Sequence, residues 1–134
     1  ATSVCKPAGL RTMGPEEVPM GHYHDEMRSN QESARELRAL IPGTYDGFVQ
    51  MHKASFADGE LSTKVKELIA VAIAVTDKCE GCIAAHTRSA VRHGASEMEF
   101  AEMLGVAIDM NGGPGTVYAP KAWAAYKDFK ERYG

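Results

Sequence analysis

Four residues of this 134-residue chain have types and spacings that could carry chemistry: Glu67, Cys79, Cys82 and His86. The cysteines stand three apart and the histidine follows four later, so on a helix the three share one stripe about two turns long. That stripe runs on through Ser89, Ala90 and His93. A C-x-x-C pair that opens a helix meets unpaired backbone N–H groups and the positive end of the macrodipole, which favour the thiolate, the reactive form of cysteine. Residues i and i+3 at a helix start also lie within bridging reach after slight unwinding, so Cys79 and Cys82 are expected to form a reversible disulfide. His86 stands one turn above Cys82 and can take its proton. Glu67 can orient the imidazole if its own helix packs antiparallel to this one, in the logic of nucleophile, base and orienting acid.

Each residue also has a plainer reading. A single Glu in an apolar helix is usually an edge position reaching solvent, and two cysteines on a buried helix can be small apolar packing. Zinc is the sharper rival for C-x-x-C with His. It would need a fourth ligand, and three positions on one straight helix wrap a tetrahedron poorly. No metal and no cofactor is therefore expected.

The elements that must position these residues all read as helices. "HDEMRSNQESARELRALI" is strongly polar with a thin apolar stripe through Met27, Ala34, Leu37, Leu40 and Ile41, an outer helix. Pro42 starts a second, "PGTYDGFVQMHKASFA", and Ser62 is a natural N-cap for a third, "TKVKELIAVAIAV". That third helix is apolar on every side after Lys66, which predicts a central, buried element. Its length and lack of strict alternation argue against a strand. After a break at "TDK", a fourth helix runs from about Cys79 to His93, closed by Gly94. Ser96 and Glu99 form a capping box for a fifth, to about Met110. "NGGPG" breaks the chain, and a sixth helix ends in "KAWAAYKDFKERY", with Pro120 as its start or a kink in it. The fold class is all-α, with about six helices.

Residues 1–19, rich in Pro and Gly, read as an extended N-terminal arm, and 20–134 as a single helical domain. Composition is that of a soluble globular protein, with 44% hydrophobic and 25% charged residues. The net charge of -3, with both signs interspersed, disfavours nucleic acid and anionic membrane as partners. The longest apolar run, "LIAVAIAV", falls far short of the roughly 20 residues a membrane span needs. A cytoplasmic location is expected. Three cysteines, Cys5, Cys79 and Cys82, do not look like a secreted disulfide framework, and Cys5 is expected to be a bystander.

The pattern E-x11-C-x2-C-x3-H resembles the signature of the alkylhydroperoxidase D-like proteins of the carboxymuconolactone decarboxylase superfamily. The flanking "LSTKVKELIAVA" and "AHTRSAVRHGAS" and the late "NGGP" are similar to that family too, so the likeness spans about residues 37–130. The resemblance implies an all-helical alkylhydroperoxidase D-like bundle of the short, single-unit branch, whose members associate as homotrimers or homohexamers. It implies a thiol peroxidase with a peroxide substrate and a dithiol or protein reductant, here unidentified. Cys82 would be the peroxidatic thiolate, Cys79 the resolving and reductant-facing thiol, and Glu67 with His86 the proton relay. One departure stands out: the best-studied branch has a histidine directly before the second cysteine, and this chain has Gly81.

Two other functions compete. A carboxymuconolactone decarboxylase-type lyase needs acid–base residues and no redox thiols, so Cys79 and Cys82 argue against it. A non-enzymatic redox sensor would use the same reactive thiol. Met51, Phe56 and Ile83 could line a site for an alkyl group, or be ordinary core.

Overall fold

The structure, a computed structural model, describes residues 22–134, with side chains from residue 31 onward. The expected arm at 1–19, and Cys5 with it, lies outside the described residues. Six helices follow in order: α1 (His22–Leu40), α2 (Pro42–Phe56), α3 (Thr63–Thr76), α4 (Glu80–Arg92), α5 (Glu97–Asn111) and α6 (Gly113–Tyr133). The described residues contain no strand, and the class is all-α as expected.

The local signals explain most boundaries. The Ser62 hydroxyl accepts from the Val65 N–H and caps α3. Ser96 and Glu99 exchange both bonds of the capping box at the start of α5. Glu99 also accepts from Lys64 of α3, and that contact, with the Ser96 N–H, holds its carboxyl below the usual range. Gly94, at φ +83°, ends α4 in the left-handed conformation that glycine adopts without penalty. Pro114 occupies the first turn of α6, while Pro120 lies inside that helix.

The core forms where α3, α4, α5 and α6 converge. Val71 and Val75, Ile83, Phe100 and Phe129 are fully buried there, interleaved with Ala122 and Ala125. Small residues let α5 and α6 approach closely: a Cβ on Gly115 would lie 2.9 Å from the Ile108 Cα. That packing gives "NGGPG" a structural purpose beyond the break. Tyr126 inserts its ring against Phe100 and donates its hydroxyl to the Ala95 carbonyl, tying α6 to the α4–α5 turn. Burial pushes its phenol above its ordinary pKa.

One expectation needs correction. The third helix is central, yet only part of its surface is covered: Ile69 and Ile73 remain 46% and 56% exposed. Its apolar character continues onto a face that no other helix covers among the described residues. α1 and α2 lie outside the four-helix core, and α2 contains no buried residue.

Candidate active site

The turn between α3 and α4 sets the geometry of the site. Asp77 caps α3, Lys78 takes the left-handed conformation (φ 56°), and Cys79 follows at once as the N-cap of α4. The Cys79 N–H donates to the Ala74 carbonyl and the Lys78 N–H to that of Val75, the two bonds of a Schellman motif. Three residues thus end one helix and begin the next, and α3 and α4 return antiparallel. Glu67 and His86 stand at nearly equal distances from the turn and meet.

Cys79 and Cys82 are joined in a disulfide, their Cα atoms 5.2 Å apart. The Cys79 sulfur also takes the place of an N-cap oxygen, accepting from the Cys82 N–H at 3.3 Å. The pair therefore sits on the donor-rich end of α4, where negative charge is favoured. Cys82 is exposed and Cys79 half-buried.

One turn further along α4, His86 Nδ1 lies 2.7 Å from Oε2 of Glu67. Glu67 is only 3% exposed, so it is not an edge residue reaching solvent. A buried carboxylate is costly unless hydrogen-bonded, and here both oxygens are satisfied: Oε1 accepts from the Ser89 hydroxyl, also at 2.7 Å. An ionised carboxylate offers only acceptors, so a neutral imidazole beside it would carry its proton on Nδ1 and leave Nε2 without one. No hydrogen bond joins His86 to either sulfur in this disulfide form.

The four residues expected from the sequence are thus brought to one side of the α3–α4 pair. Three others join them. Phe56 stacks on His86 with ring centroids 5.3 Å apart, and His52 stacks on Phe56 at 4.3 Å, leaving the two imidazoles 6.0 Å apart. The third is Ser89. Met51, Phe56 and Ile83 separate: Phe56 reaches the site, Ile83 is core, and Met51 is 59% exposed. Beyond Ser89, a depression of about 270 Å³ is lined by Arg88, Ser89, Arg92 and His93. Among the described residues, no group of His, Cys, Asp and Glu is arranged to hold a metal ion.

This helical fold recurs in a known group of proteins. The model of the carboxymuconolactone decarboxylase family matches residues 42–125, and the chain belongs to that family. Its relatives include an uncharacterised protein of Cupriavidus necator, 46% identical over 85 residues (63% of this chain and 75% of that protein). Another, from Haemophilus influenzae, is 40% identical over 96 residues (72% and 85%). Among solved structures, a carboxymuconolactone decarboxylase family protein from Legionella pneumophila superposes with a TM-score of 0.80 at 34% identity, covering 82% of this chain and 98% of that one. A family member from Thermotoga maritima, for which a role in the antioxidative response has been suggested, gives 0.65 at 26% identity (75% and 88%).

Proposed function

We propose that the protein is a thiol-dependent peroxidase of the alkylhydroperoxidase D-like kind, working through Cys79 and Cys82 with Glu67 and His86 as proton relay. The observation that carries this reading is the disulfide at the start of α4, one turn below an imidazole bonded to a buried carboxylate. A lyase would have no use for the disulfide. The antioxidative role suggested for the Thermotoga relative points the same way.

In the reduced protein the Cys82 thiolate attacks the terminal oxygen of a peroxide, ROOH. The O–O bond breaks, ROH leaves with a proton supplied through His86 Nε2, and Cys82 becomes a sulfenic acid. The Cys79 thiol then attacks the Cys82 sulfur, releasing water and forming the disulfide. A dithiol reductant opens it by exchange, restoring both thiols. The sum is ROOH + R′(SH)2 → ROH + H2O + R′S2. Exposure of Cys82 suits the sulfur that meets the peroxide, and the half-buried Cys79 suits the resolving partner. Phe56, stacked between His52 and His86, offers an apolar ring beside the site for an alkyl group.

Assembly belongs to the same reading. Apolar side chains exposed on α2 and α3, including Phe48, Met51, Ile69 and Ile73, support a homotrimer or homohexamer.

Peroxide consumption with a series of dithiol reductants tests the reaction. Turnover that needs the dithiol and vanishes in Cys82→Ser is expected. Consumption that survives in Cys82→Ser, or no consumption of hydrogen peroxide or an organic peroxide by the wild-type protein, would sink the proposal.

A further inference from the structure

The relay as the sequence presents it uses one oxygen of Glu67, and the structure shows what holds the other. Ser89, one turn beyond His86 on α4, donates its hydroxyl to Oε1 at 2.7 Å while His86 faces Oε2 at the same distance. We propose that Ser89 is a positioning residue of this site, fixing the orientation and acceptor state of Glu67 and, through it, the tautomer of His86. This rests on reading Glu67 and His86 as the relay that serves Cys82.

A carboxylate held by one donor can turn about its terminal torsion, which is broad and nearly two-fold. A second donor on the other oxygen removes that freedom, so Oε2 stays on the imidazole. The hydroxyl also governs where protons rest. With donors on both oxygens, Glu67 accepts twice and His86 must carry its proton on Nδ1, which frees Nε2 to take or give a proton. Without the hydroxyl, Oε1 has no partner within a residue that is 3% exposed. Taking up a proton then becomes the way to relieve it. A protonated Glu67 donates to Nδ1, the imidazole proton moves to Nε2, and the base that faces the site is lost.

The environment of Ser89 supports a directed role. A serine within a helix commonly bonds back to the carbonyl four residues earlier. Ser89 instead reaches across to α3. His93 Nδ1 lies 2.9 Å from the Ser89 carbonyl and 3.4 Å from its hydroxyl, so the backbone oxygen takes the closer contact and leaves the hydroxyl proton to Glu67. The other titratable groups nearby include His52 from α2, Lys66 from α3 and Arg88, Arg92 and His93 from α4, with Asp58, before α3, close to both Lys66 and His93. Replacing Ser89 by alanine leaves all of them in place and is well tolerated by a helix.

The test uses the full chain, reduced, as wild type, Ser89→Ala and Ser89→Thr. Nitrogen-15 NMR reads the His86 tautomer, and site-resolved iodoacetamide labelling reads the Cys82 alkylation rate against pH. In Ser89→Ala, part or all of the His86 proton is expected to move from Nδ1 to Nε2. Cys82 alkylation at neutral pH should fall about tenfold, the lower end of what losing such an outer partner costs, and the profile should move to higher pH. Ser89→Thr, which keeps a hydroxyl, should restore both readouts. A merely space-filling or charge-satisfying Ser89 would lower the melting temperature of the alanine variant and leave tautomer and profile as in wild type, which overturns the proposal. A wild-type His86 that carries its proton on Nε2 overturns it without any variant. Glu67→Gln separates the two levels: a profile unchanged in both variants overturns the relay itself, whereas a shift in Glu67→Gln alone overturns only the role of Ser89.

Discussion

Glu67 is where the two readings of this chain diverge most measurably. As a surface-edge carboxylate it would contribute little, and its replacement would change stability by no more than about 0.5 kcal/mol. At 3% exposure and bonded to His86 it belongs to a unit. Glu67→Gln keeps the size of the side chain and removes its charge, so peroxide turnover at neutral pH should fall by roughly 10²-fold or more, the scale of general acid–base assistance. His86→Ala should act in the same direction. The double variant should lose little beyond either single one, because residues acting as a unit are not additive. Additive losses, or a Glu67→Gln protein with wild-type turnover, would show that the pair is structural. The spacing of Glu67, Cys79, Cys82 and His86 was legible in the sequence because helix periodicity and one short turn determine it. Ser89 was visible only as a member of the same stripe. Its partner lies on another helix, and no local pattern says which way a serine hydroxyl turns.

At the scale of the elements, the most consequential feature is the three-residue turn from α3 to α4, and it contains an unfavourable residue. Lys78 holds the left-handed conformation that the Schellman motif requires, with φ 56°. That conformation costs a residue bearing a Cβ about 1–2 kcal/mol. Its ammonium group makes no ion pair among the described residues. Lys78→Gly should therefore stabilise the protein by about 1 kcal/mol, after allowing for the extra unfolded-state freedom of glycine. Chemical denaturation of the oxidised protein would show the midpoint rising at constant slope. No gain, or a loss, would mean that the lysine makes compensating contacts in solution. The turn was legible only as a break, since "TDK" lacks the glycine that marks the equivalent end of α4 at Gly94. The caps at Ser62 and Ser96 were fully legible, being local side chain–backbone bonds. The placement of α2 was not. Its apolar residues are spread around the helix, and nothing within it says that Phe56 and His52 would turn toward His86.

The whole molecule leaves that second helix in a position that a lone subunit explains poorly. α2 carries Tyr45, Phe48, Val49, Met51 and Phe56, yet none of its residues is buried, and Phe48 is 60% exposed. The neighbouring end of α1 presents Leu37 and Leu40, and the outer side of α3 presents Ile69 and Ile73. Exposed apolar side chains scattered singly are ordinary, whereas several on adjoining elements mark an interaction surface. The same helix supplies the aromatic wall beside His86, so whatever holds α2 in place also holds that side of the site. A trimer or hexamer of this chain would cover these residues and fix α2 without any change in the four-helix core. Sedimentation at micromolar concentration should give a homotrimer or homohexamer. Phe48→Glu with Met51→Glu, which alters no core residue, should shift the distribution toward monomer and reduce peroxide turnover together. A clean 14.5 kDa monomer for the wild-type chain would remove the assembly from the proposal. A monomeric double variant with full turnover would show that α2 holds its place in the site unaided.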